Sequence, residues 1–150
     1  MPVFITLGRI LFALLFIYSG TTKLFTIQAT SDSIAAKVVI PALFAPYTSQ
    51  LETMTGMSTP QMLAIAIGGF EVISGLMIAL NFGVRFFAIV LIFFVAATTF
   101  YFHDFWNQSP PENATTLLEA LKNLSIIGAL FMIAGYGRAP RTVEAAYGDA

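Results

Sequence analysis

Four apolar stretches of bilayer-spanning length, each closed off by turn chemistry, leave this chain few folds to choose from. They run over residues 3–23, 61–80, 85–103 and 117–136. A helix needs about 20 apolar residues to cross the hydrocarbon core, and it satisfies its own backbone there, as lipid demands. Composition agrees. Hydrophobic residues make up 57% of the chain and charged residues 10%, against about 25% charged in soluble domains. The expected fold is all-α: a polytopic membrane protein, an antiparallel bundle of four transmembrane helices with a partly helical outer loop. At 150 residues the chain is most simply one transmembrane domain. Its net charge of −1 does not suggest nucleic acid or a polybasic lipid-binding patch. The expected surroundings are the lipid bilayer and other membrane subunits or further copies of the chain.

The punctuation between spans is specific. Arg9 interrupts the first span and Lys23 closes it. No small-residue cleavage site follows, so this is a retained helix rather than a signal peptide. The segment from Phe25 to Pro60 is too long for a simple turn. Within it, Ser33 to Ile40 reads as a short interfacial helix stopped by Pro41, and Ala42 to Met57 as a second such piece. Ser58-Thr59-Pro60 is a helix start, with a hydroxyl cap before a first-turn proline. Asn81-Phe82-Gly83 is a tight turn. Pro110-Pro111 breaks the chain before a fourth helix beginning near Thr115 or Thr116, and Gly135-Tyr136-Gly137 ends it. Four spans put both termini on one side, with Arg9, Arg85, Arg138 and Arg141; the other side holds Lys23, Lys37 and Lys122. The positive-inside rule then places both termini in the cytoplasm, with a bacterial inner membrane the expected location. Tyr101, Phe102, Phe105 and Trp106 would contribute to the outer aromatic belt.

Glu71 is the costliest residue in the sequence. It stands in the middle of the second span, where an unpaired charge is expensive, so it needs a proton or a cation. Gly68, Gly75 and Ala79 on the same helix are small enough for a neighbour to come close. Arg9 differs from Glu71 in expected depth by roughly 7 Å, which predicts a buried ion pair, Arg9 with Glu71. That pair serves the site or simply fixes helix register. Lys23, His103, Asp104, Lys122 and Asn123 gather toward the outer end as a candidate ligand or proton pocket. The plainer readings are that Lys23 and Lys122 snorkel to the headgroups and that His103 caps a helix end. With no cysteine and one histidine, the chain offers no thiol relay, iron–sulfur cluster, thiolate zinc site or bis-histidine haem. No metal site is expected and no catalytic residue is assigned.

Several of these residues fall in segments that resemble the DoxX-type membrane proteins. They are Gly8-Arg9 with Gly20-Thr21-Thr22-Lys23-Leu24, then Phe70-Glu71 with Gly75-Leu76, then Ala97-Thr98-Thr99-Phe100-Tyr101-Phe102-His103-Asp104-Phe105-Trp106. Leu121-Lys122-Asn123-Leu124 and Gly135-Tyr136-Gly137-Arg138 complete the order. The tail departs from the pattern: Arg138-Ala139-Pro140-Arg141-Thr142 replaces a Gly-x-Gly-x-x-Ser-x-Asp-like stretch. The family is similar to the small membrane subunit of thiosulfate:quinone oxidoreductase. The resemblance therefore implies a quinone-associated or redox-linked subunit of a membrane complex, with quinone as the ligand. The alternative it leaves open is a non-catalytic accessory or assembly subunit that binds other transmembrane helices. A small-molecule transporter ranks third, because the spans lack the helix-breaking residues such sites often use.

Overall fold

A computed structural model describes residues 2–136. Six α-helices follow one another: α1 (Pro2–Phe25), α2 (Ile27–Lys37), α3 (Ala45–Thr55), α4 (Thr59–Ala79), α5 (Val84–Phe102) and α6 (Glu112–Tyr136). Short 3-10 turns occupy Ala42–Phe44 and Phe105–Asn107. No strand occurs among the described residues. Helices α1, α4, α5 and α6 are long and apolar enough to cross a membrane, so the chain is an all-α, multi-pass membrane protein. The polar tail, with Arg138 and Arg141, lies outside the described residues.

Capping explains where the boundaries fall. Helix α4 begins at Thr59 because Ser58 and Gln61 form a reciprocal capping box. Glu52 of α3 reinforces it. Its Oε1 accepts from the Thr59 backbone N–H at 2.7 Å and from the Thr59 hydroxyl at 2.6 Å. Helix α6 starts at Glu112, ahead of the expected 117. Its first turns are polar, so hydropathy hides them. A proline immediately before the helix and an acid in its first turn favour helix there all the same. Thr116 donates to Gln108 Oε1 at 2.6 Å, tying that turn to the preceding loop. The short helix expected over Ser33 to Ile40 is corrected to Ile27–Lys37. It ends earlier because Ile40 precedes Pro41, and a residue before proline is pushed toward extended backbone. The α4–α5 turn holds Asn81 at φ 60 and Gly83 at φ 57, a left-handed geometry suited to these two residue types.

The four spans pack as two pairs, α1 with α4 and α5 with α6, joined by a lighter α4–α5 contact. Helix α2 lies against α4 and continues the wall above the end of α1. The α1–α4 seam is set by glycine. A Cβ at Gly20 would meet the Gly68 carbonyl oxygen at 2.5 Å and Glu71 Cβ at 2.8 Å. One at Gly75 would meet Ile17 Cγ1 at 2.8 Å and the Ala13 carbonyl oxygen at 3.0 Å. The helices therefore touch backbone to backbone, as expected for Gly68 and Gly75. Between the pairs, Ala13, Phe16, Ile78, Leu91, Val95 and Leu130 form a buried mid-height core. That core divides the inter-pair space into an outer and an inner cavity.

Candidate functional site

The glycine seam brings a different cation to Glu71 from the one expected. With Gly20 against Gly68 and Glu71, Arg9 lies roughly 16 Å away along α1, at about 1.5 Å per residue. Lys23, one turn beyond Gly20, is within reach. Its Nζ donates to Glu71 Oε2 at 2.7 Å and to Ser19 Oγ at 2.6 Å. Ser19 in turn donates to Glu71 Oε2 at 3.2 Å, which closes a triangle. The expected Arg9–Glu71 ion pair does not form. Arg9 Nη1 instead donates to Asn81 Oδ1 at 2.6 Å, at the α4–α5 turn.

The triangle forms one end of the outer cavity, which has a volume of about 500 Å³. Leu15, Phe16, Ile67, Phe94, Phe102 and Ile126 make its apolar walls; Thr30, Ser33 and Ile34 of α2 close one side. Both Lys23 and Glu71 line the cavity; with side-chain exposures of 30% and 6%, the lysine is the more accessible partner. An ammonium carries three donors. Two are engaged, leaving one N–H at the cavity wall. His103 and Asn123 line the same cavity. Asn123 Nδ2 donates to Thr99 Oγ1 at 3.0 Å, which fixes the amide and joins α6 to α5. A volume of this size, mostly apolar with a few convergent polar groups, suits a small organic ligand.

A family model described as DoxX matches residues 4–104. The chain belongs to the DoxX family. The matched residues hold the triangle, the glycine seam and His103, whereas Asn123 comes from the helix that follows. The chain is also similar to inner membrane protein YphA from Escherichia coli (strain K12). The two are 26% identical over 133 residues, covering 89% of this chain and 82% of that protein. No solved structure matches the chain.

Of the pocket expected in this DoxX-family chain, the structure brings together Lys23, His103 and Asn123. Two members stand apart. Asp104 pairs with Lys37 of α2 at 3.2 Å and holds that helix to the end of α5. Lys122 pairs with Glu119, three residues back on its own helix, at 2.7 Å, and both side chains are substantially exposed, at 58% and 44%. One position on α6 separates Lys122 from Asn123, which lines the cavity with Ile126, and a single step turns a side chain by about 100° round the helix. Ser19 and the α2 wall were not expected in the site. For Ser19 the signal was present in its i, i+4 spacing to Lys23, which puts both on one helix face.

Proposed function

We propose that this DoxX-family protein binds a quinone in its outer cavity, as the quinone-associated subunit of a membrane redox system. The observation that carries the reading is the Lys23–Glu71–Ser19 triangle. It holds one ammonium in place, charge-balanced, with a spare N–H at the end of an apolar cavity. The donor set fits the ligand. Lys23 would donate to one ring carbonyl, and Asn123 or His103 to the other. Leu15, Phe94, Phe102 and Ile126 would flank the ring and the first part of an isoprenoid tail. A quinone, when bound, supplies two-electron, two-proton redox chemistry. The fixed ammonium would favour negative charge developing on the carbonyl oxygen beside it, and His103 at the end of α5 would exchange a proton with the outer face. With no cysteine and one histidine, the chain leaves electron delivery to a partner subunit.

The test is purification in native lipid, with mass spectrometry of bound quinones and partner proteins for the wild type and for Lys23→Met and Asn123→Ala. Quinone retained by the wild type and lost from both variants supports the reading. Equal retention by all three, or none by the wild type, overturns it. A second reading, an accessory subunit that binds other transmembrane helices, is favoured by Gly8, Gly128 and Gly135. A Cβ at any of these would meet nothing within 4 Å among the described residues, so these close-approach positions are open to a neighbouring helix there. Partner proteins recovered without quinone would favour it.

Placement in an inner membrane is supported by the Escherichia coli relative. Cytoplasmic termini are supported by the basic residues. Lys23 is engaged inside the bundle, so the side carrying Lys37 has few cations outside helix ends, against Arg9 and Arg85 opposite. Cysteines placed at Gln50 and Phe82 should label from opposite faces, Gln50 from outside. Labelling of both from one face would discard the arrangement.

A further inference from the structure

The inner cavity mirrors the outer one in position but not in charge. It measures about 270 Å³ and lies between α1 and α6, lined by Ile5, Arg9, Phe12, Asn81, Ala129 and Ile133 among others. The only hydrogen bond to the Arg9 guanidinium among the described residues goes to a neutral acceptor, Asn81 Oδ1. Its Nε is buried and without a partner. Arg85 adds a second cation at the rim, donating from Nη2 to the Gly135 carbonyl at 3.5 Å, beside Tyr136 of the cavity wall. No carboxylate of the described residues answers these two charges. Glu71 is taken by Lys23 and Asp104 by Lys37. Glu52 caps α4, Glu119 faces Lys122, and Asp32 and Glu112 belong to the end away from the α4–α5 turn. The near-zero net charge of the chain hides this separation.

Depth narrows the ligand. Arg9 reaches the α4–α5 turn, which is where α4 leaves the bilayer. Its guanidinium is therefore at headgroup level, while Phe12, Ala129 and Ile133 line the space below it. An anion at that level with hydrocarbon beneath it describes one class of molecule. We propose that the cavity between α1 and α6 binds an anionic phospholipid, its phosphate held by Arg9 with Arg85 at the rim and an acyl chain lying along Phe12, Ala129 and Ile133. A phosphate oxygen would take the idle Nε–H and the free Nη protons, where the planar fork of arginine matches phosphate geometry.

The test is native mass spectrometry of the full chain in detergent, titrated separately with phosphatidylglycerol, phosphatidylcholine and inorganic phosphate. Wild type should retain phosphatidylglycerol in preference to phosphatidylcholine. Arg9→Gln should weaken phosphatidylglycerol binding about tenfold or more, from the loss of a charge-assisted hydrogen bond, and reduce its advantage over phosphatidylcholine. Ala129→Phe fills the cavity without touching the charge and should reduce lipid retention with Arg9 intact, so a folding defect in the first variant does not decide the matter. Equal binding of the two lipids, or wild-type phosphatidylglycerol binding by both variants, overturns the proposal. Displacement of the lipid by inorganic phosphate at equal concentration overturns it too, in favour of a soluble phosphate ester.

Discussion

Replacing Lys23 with methionine removes the cation that meets Glu71, and the cost follows from the geometry. At 2.7 Å, an effective dielectric constant of about 20 gives an attraction of about 6 kcal/mol. Taking each ion out of water costs several kcal/mol, so the intact pair contributes little net stability. Breaking it is a different matter. With Lys23→Met, a carboxylate of 6% exposure keeps Ser19 as its remaining donor, and the expected loss is ~3–5 kcal/mol. Glu71→Gln should cost less, because an amide oxygen still accepts from Ser19 and the lysine head can move into the cavity. The double change Lys23→Met with Glu71→Leu leaves no buried charge and should be close to neutral, on the order of 1 kcal/mol either way. The cycle is measured by denaturant unfolding in micelles of fixed composition, followed through Trp106 fluorescence. With Glu71→Leu as the matching single variant, single-mutant effects that simply add, to within about 0.5 kcal/mol, would refute the reasoning, as would Glu71→Gln proving worse than Lys23→Met.

Four further outcomes are expected. Gly20→Ala drives a Cβ to 2.5 Å from the Gly68 carbonyl oxygen and should cost about 1–3 kcal/mol in the same assay. Gly128→Ala, with nothing within 4 Å, should stay within about 0.5 kcal/mol of wild type. The side-chain hydrogen bond from Thr59, and then its backbone N–H, hold the Glu52 carboxyl below its ordinary range. Its support of the α3–α4 junction should thus be complete above about pH 5 and fade as pH falls through the lowered value. Faster amide exchange at the start of α4 in acid, absent from Glu52→Gln, is the signature. Lys122→Ala breaks an exposed i, i+3 pair and should change stability by less than about 1 kcal/mol, with quinone retention unaltered.

The spans and most of their boundaries were legible because apolar length and turn chemistry are local properties. The start of α6 was missed for the same reason: Glu112 to Thr116 are mostly polar, and only caps and the helix dipole reveal a helix there. The site was half legible. Glu71 announces its own need for a partner, but depth counted from helix ends chose Arg9. The choice depends on how far α1 slides along α4, which is a non-local quantity. Lys122 was misplaced on a finer scale, since at 3.6 residues per turn one position separates the inward Asn123 from a residue facing away.

That sliding distance is where both ends of the molecule become one problem. Gly20 against Gly68 and Gly75 against Ala13 fix a single register, and this register delivers Lys23 to Glu71 and Arg9 to Asn81 together. A slip of α1 by one turn moves each cation by about 5.4 Å, enough to break both contacts, and no described carboxylate near the α4–α5 turn would capture Arg9 instead. The glycines therefore specify electrostatics as much as packing. A bulky residue at Gly20 should disturb the outer triangle, which is adjacent, and also the inner arginine site roughly 16 Å away along the helix. Loss of quinone retention and of phosphatidylglycerol preference in one variant, Gly20→Val, is the combined result this geometry requires. If the outer site alone responds, α1 bends locally and the two sites are set independently.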